Sequence, residues 1–143
     1  MGILAFGINH KSASVDLRGQ IAFAPEIVVS SLQDARSKLD VQEIALLSTC
    51  NRTEVYLQGD CSDEQLLDWL AVTKGVELNQ LQECYYCHRD NQAISHMMRV
   101  ASGLDSLVLG EPQIFGQIKS AYAVGREAGT VSTSLNQAFQ QSF

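Results

Sequence analysis

Two runs of strand-forming residues, QEIALLS (42–48) and TEVYLQ (53–58), are separated only by Thr49-Cys50-Asn51-Arg52. A gap this short cannot carry a crossover, so the two runs are neighbouring strands joined by a tight connection at a sheet edge. The rest of the chain must arrange itself around that pair. ILAFGIN (3–9) alternates Leu4, Phe6 and Ile8 with smaller residues, as a half-buried strand does. Pro25 suits the first position of a helix, and Val28, Leu32, Ala35 and Leu39 then recur at helical spacing. Ser62 with Gln65 forms a capping box, Asp63 and Glu64 suit the positive helix end, and Gly75 stops the helix after Lys74. That second helix carries Leu66, Leu67, Trp69 and Leu70. ECYYCH (83–88), rich in β-formers, makes a fourth strand after a polar connection. The resulting order, β-α-β-β-α-β, is ferredoxin-like, so the expected fold class is α+β with an antiparallel sheet.

From residue 91 onward the pattern turns helical. Ile94, Met97, Met98, Ala101 and Leu104 share one face, and Pro112 opens a further helix with Ile114, Ile118, Ala121, Tyr122 and Gly125. SLNQAFQQSF at the end looks like a helix cut short. The expectation is one domain, with an α/β part over 1–89 and a C-terminal helical appendage over 90–143.

Composition narrows the function classes. At 143 residues and 45% hydrophobic content the chain suits a single domain with a real core. No apolar run approaches the roughly 20 residues that span a bilayer, and the first residues lack the basic region of a signal peptide. A cytoplasmic protein without membrane contact is expected. The net charge of −6, from 16 acidic and 10 basic residues, excludes a binder of nucleic acid held by bulk charge. Any nucleic-acid contact must be local.

The four cysteines, Cys50, Cys61, Cys84 and Cys87, are expected as free thiols in the absence of a secretory signal. Cys50 has two readings from residue types alone. It is a small buried hydrophobe closing a strand, or a nucleophile whose pKa is lowered by turn amides and the Arg52 guanidinium, with Thr49 and Asn51 as donors to a developing oxyanion. His96 falls on a helical face with Gln92, Arg99 and Gly103, away from the apolar stripe. It is a general base, a proton donor or a solvated surface histidine. Ser106, Glu111, Pro112, Gln113 and Gln117 gather around a helix start. There, Glu111 or a glutamine can accept from an ammonium group while Arg52 takes a carboxylate bidentately, a set suited to a small zwitterion. The bland alternative is an ordinary helix start with solvated glutamines. Cys84-Tyr85-Tyr86-Cys87-His88 matches C-x-x-C-H, but it has no second ligand pair nearby, and in a strand Cys84 and Cys87 would face opposite ways, so no metal or haem is expected. No G-x-G-x-x-G and no G-x-x-x-x-G-K-[ST] occurs, so no nucleotide phosphate site is visible.

Taken together, GINHKSASVDLR (7–18), LLSTCNRTEVY (46–56) and AISHMMRVASGLDSLVLGEPQIFGQ (93–117) resemble the N-terminal catalytic domain of glutamyl-tRNA reductase, in order and over nearly the full chain. The resemblance implies an NADPH-dependent reduction of glutamyl-tRNA to glutamate-1-semialdehyde, on the five-carbon route to 5-aminolevulinate and tetrapyrroles. Cys50 would form a glutamyl thioester, and His96 would match the family's histidine implicated in activity. Thr49, Asn51 and Arg52 would belong to the nucleophile block, and Ser106, Glu111, Pro112, Gln113 and Gln117 would line the glutamate pocket. It also implies that NADPH is bound by a domain missing from this chain, along with a dimerisation domain. The full-length enzyme would then be a homodimer that passes the semialdehyde to an aminomutase. Lys11, Arg18 and Lys119 are local groups that could share the contact with tRNA. The competing readings are a cysteine-dependent esterase or acyl transferase standing alone, and a noncatalytic ferredoxin-like binding module.

Overall fold

The computed structural model describes residues 2–104 and 114–143. Four strands, β1 (Gly2–Asn9), β2 (Val41–Ser48), β3 (Arg52–Gly59) and β4 (Tyr86–Arg89), form one sheet in the order β2-β3-β1-β4. Every neighbouring pair is antiparallel. The helices among the described residues are α1 (Val15–Ile21), α2 (Pro25–Lys38), α3 (Asp63–Lys74), α4 (Leu78–Gln82), α5 (Asn91–Ala101), α6 (Ile114–Ala128) and α7 (Thr133–Ser142).

The two-residue period of the strands builds two cores. Leu4, Phe6 and Ile8 of β1, Ile44 and Leu46 of β2, and Val55 and Leu57 of β3 pack against Leu17, Ile21, Leu32, Leu66, Leu70 and Leu81 of α1 to α4. The alternate residues Ala5, Ala45, Leu47 and Tyr56 pack against Met97 and Val100 of α5, Ile118 of α6, and Leu135 and Phe139 of α7. The C-terminal helices are therefore a full layer on the second face of the sheet rather than an appendage. All of β3 is buried as a result.

Local signals explain most element ends. The Ser62–Gln65 capping box opens α3, and Gly75, at φ 65°, closes it in the left-handed conformation that glycine adopts without a Cβ penalty. Pro25 stands at the start of α2. The start of α7 is held differently. The buried Glu43 carboxylate of β2 accepts from the amides of Ser132 at 2.7 Å, Ser134 at 3.2 Å and Leu135 at 3.0 Å. A side chain from the sheet thus satisfies orphan donors of the helix and docks it.

Three expectations need correction. The helices α1 and α4 interrupt the simple β-α-β-β-α-β order; both are too short to show a periodicity, and α1 is marked only by Ser14 capping Leu17. The fourth strand starts at Tyr86 rather than at residue 83, because α4 runs on into a turn in which the amides of Cys84 and Tyr85 both donate to Leu81 O. Cys84 is consequently outside the strand, and the opposite-face relation with Cys87 does not hold; both thiols pack against the first core. On α5 the buried arc is Ala93, His96, Met97, Val100 and Ala101, while Met98 and Leu104 are exposed at 47% and 64%. Sheet on one side and α7 on the other cover a wider arc than the apolar stripe, and His96 lies inside it.

Candidate active site

The cross-strand register sets Gly7 of β1 between Glu54 of β3 and Tyr86 of β4. A Cβ at Gly7 would stand 2.7 Å from Glu54 Cγ and 2.9 Å from the Tyr86 hydroxyl. Glycine is what allows those two side chains to meet above the sheet. Glu54, fully buried, collects donors from three elements. Its Oε2 accepts from Arg52 Nη1 at 3.2 Å, from the Tyr86 hydroxyl, and pairs with His96 Nε2 at 2.6 Å. Its Oε1 accepts from the Tyr56 hydroxyl. Burial opposes the charge on Glu54, but His96, then Arg52 and Tyr56, outweigh it and hold the carboxyl below its ordinary pKa. Burial, followed by the Glu54 charge, pushes the Tyr56 phenol well above its usual value. The His96 ring also stacks on His88, with centroids 4.7 Å apart, and lies 5.3 Å from the Tyr86 ring.

The nucleophile candidate sits at the end of the same strand. Cys50 is exposed, in the connection between β2 and β3. Thr49 pins that turn: its amide donates to Arg52 O at 2.8 Å, and its Oγ1 accepts from the amides of Asn51 at 3.1 Å and Arg52 at 3.3 Å. The buried-filler reading of Cys50 therefore fails, and Thr49 shapes the turn that presents the thiol. The other three cysteines differ. Burial, as the leading cause, raises Cys61 to about 11 and Cys87 to about 12, and it raises Cys84 as well. Those thiols stay protonated at neutral pH and are poor nucleophiles.

Arg52 begins β3 with 1% of its surface exposed, and His96, expected on an outer face, is 3% exposed. Glu54 joins the two. Gln117 of α6 lines a cavity of about 210 Å3 with Phe23, Leu47 and Ser48, at the end of β2 that leads to Cys50. Its buried Oε1 has no hydrogen-bond partner among the described residues. Ser106, Glu111, Pro112 and Gln113 lie outside the described residues. Sequence reasoning missed Glu54, Tyr56 and Tyr86 as site residues, and met His88 only beside Cys87 in C-x-x-C-H. The available signal was a carboxyl in phase with Tyr56 inside TEVYLQ, a strand otherwise suited to burial.

The model of the N-terminal domain of glutamyl-tRNAGlu reductase matches residues 6–143. The chain belongs to the glutamyl-tRNA reductase family. It is 56% identical over 144 residues to the glutamyl-tRNA reductase of Stutzerimonas stutzeri, and 55% identical to that of Pseudomonas fluorescens strain SBW25, covering 100% of this chain and 34% of each relative. Among solved structures, the glutamyl-tRNA reductase from Methanopyrus kandleri superposes with a TM-score of 0.81 at 30% identity, over 98% of this chain and 32% of that one. The chain thus spans about a third of the length of these glutamyl-tRNA reductases.

Proposed function

We propose that this chain is the catalytic domain of an NADPH-dependent reductase that converts glutamyl-tRNA to glutamate-1-semialdehyde, the first step of tetrapyrrole synthesis by the five-carbon route. The observation that carries the reading is the exposed Cys50 set two residues ahead of a buried Arg52, which shares the Glu54 carboxylate with His96. Cys50 Sγ attacks the ester carbonyl carbon. The C–S bond forms as the C–O bond to the terminal ribose breaks, the thiol proton leaves, and the departing ribose oxygen takes up a proton. The cluster around Glu54 serves this step by holding Arg52 and His96 in fixed positions before substrate arrives. Gln117 offers the ammonium group of the glutamyl moiety an acceptor that has no other partner among the described residues. We place Thr49 and Asn51 at the turn beside the reacting carbonyl, and assign Ser106, Glu111, Pro112 and Gln113 to the same glutamate pocket. The β2-β3-β1-β4 order is read as ferredoxin-like with α1 and α4 added.

The reduction belongs elsewhere. No glycine-rich phosphate loop occurs in these residues and they do not fit a dinucleotide, so NADPH is assigned to another domain of the longer enzyme. That enzyme is read as a cytoplasmic homodimer that hands its semialdehyde to an aminomutase. For the tRNA, Lys11 and Arg18 are the better placed cations. Asn9, at the end of β1, pairs with Arg52, so Lys11 and Cys50 both leave the sheet at one end, and Arg18 Nη1 turns back to Ala13 O on that same connection. Lys119 instead lies 4.6 Å from the centroid of the Phe115 ring.

The test is an acid quench after mixing the protein with tRNA carrying labelled glutamate. Label is expected on the wild-type protein and not on Cys50→Ser, where it stays on RNA. Release of free glutamate without a protein-bound stage, equally from both proteins, would replace this function with plain ester hydrolysis.

A further inference from the structure

His96 is buried against a carboxylate, and the surroundings of that carboxylate dictate which ring nitrogen holds the proton. Arg52, Tyr56 and Tyr86 approach Glu54 with N–H or O–H groups. An ionised carboxylate only accepts, so His96 can join the group at 2.6 Å only by donating from Nε2. The opposite tautomer would press the Nε2 lone pair against Oε2. We propose that Glu54 is a positioning residue that fixes His96 with its proton on Nε2, leaving Nδ1 as the nitrogen that receives and returns the proton moved in acyl transfer. The assignment rests on Cys50 acylation as the reaction of this site.

The rest of the setting agrees with a single ring pose. His88 and Tyr86 of β4 flank the ring at 4.7 Å and 5.3 Å, so its plane is set from β4 while its tautomer is set from β3. Among the described residues, the titratable groups shown against it are Glu54, Tyr86 and His88, with Arg52 and Tyr56 bonded to the same carboxylate. The strand β1 and the helix α7, both packed on α5, contain no Asp, Glu, Lys, Arg, His, Cys or Tyr. On α6, Lys119, Arg126 and Glu127 are on the exposed side, and Tyr122 hydrogen-bonds Asn136 and Arg126. Glu54 is thus the carboxylate to which His96 Nε2 donates, whatever the state of Nδ1. The Nε2 proton stays on the ring, hydrogen-bonded to Glu54, while Nδ1 is the nitrogen left to exchange one.

Histidine labelling with 15N tests the tautomer directly, since the chain has three histidines. The neutral His96 ring is expected with hydrogen on Nε2 and a bare Nδ1. In Glu54→Gln, whose amide can donate as well as accept, the 15N signals should show that this tautomer is no longer fixed. In Tyr86→Phe, which keeps the carboxylate, the tautomer should stay as in wild type. A neutral wild-type His96 ring with its hydrogen on Nδ1 overturns the proposal, and so does an unchanged tautomer in a folded Glu54→Gln protein. A wild type that never forms a thioester, yet shows the expected tautomer, instead removes the acylation reading on which the role of Nδ1 rests.

Discussion

Cys50 is the exposed one of the four thiols. Cys61, Cys84 and Cys87 are raised mainly by burial, whereas Cys50 stands in the open on a pinned turn. A small alkylating reagent at neutral pH should therefore modify Cys50 first in the native protein, with the other three following only on unfolding, as mass counting under native and denaturing conditions would show. Glu54 adds a pH signature. Its folded pKa is lowered, so its contribution to stability is present above the unfolded value of about 4.3 and is lost as pH falls through the folded value. Denaturant midpoints of Glu54→Gln should accordingly be lower than wild type at pH 7 and flatter on acidification below about pH 4. The turn around Cys50 was legible because two strand patterns enclose only four residues. His96 was misread because a helical wheel weighs hydrophobicity alone and cannot see a carboxylate arriving from another strand. Glu54 itself looked like one polar residue in an alternating strand. Only the register that sets Gly7 and Tyr86 beside it shows which way it faces.

Among the described elements, α7 is packed into the second core by Leu135 and Phe139 and is tied at its start by one side chain from the sheet. Glu43 holds three amides at its start. Replacing Glu43 with Ala should cost about 1–2 kcal/mol, with the loss concentrated as faster amide exchange over residues 132–142 rather than across the sheet. Gly7→Ala should disturb a different element pair, since the added methyl meets Glu54, Tyr86 and the Thr53 carbonyl, 2.9 Å away, at once. Lower stability and a broken His96–Glu54 pair are expected together, seen as a changed His96 ring signal in the NMR spectrum. Elements with a strong period or a cap, such as α2 and α3, could be read from the sequence within a residue or two. The short α1 and α4 could not, because seven and five residues carry too little periodic signal and rest on packing under the sheet.

Across the whole molecule, the sheet is a middle layer whose two faces do different work. One face is an apolar core with α1 to α4; the other carries both the second core and the polar cluster under α5. The expectation of a helical appendage missed this because the first strand was read as half-buried, while Ala5, Ala45, Leu47 and Tyr56 had no stated partner. Placing Lys11 and Arg18 at the Cys50 end predicts a local electrostatic grip on a chain with net charge −6. In the full-length enzyme, Lys11→Ala should weaken glutamyl-tRNA binding and reduce its log–log salt slope by about 0.7 for each phosphate no longer neutralised, while Lys119→Ala leaves the slope unchanged. The most direct measurement of the central claim is peptide mapping by mass spectrometry after mixing the protein with glutamyl-tRNA in the absence of NADPH and quenching in acid. The account predicts a glutamyl group on the peptide that contains Cys50, removable by hydroxylamine. A glutamyl group on any other residue, or its persistence in Cys50→Ser, would contradict it.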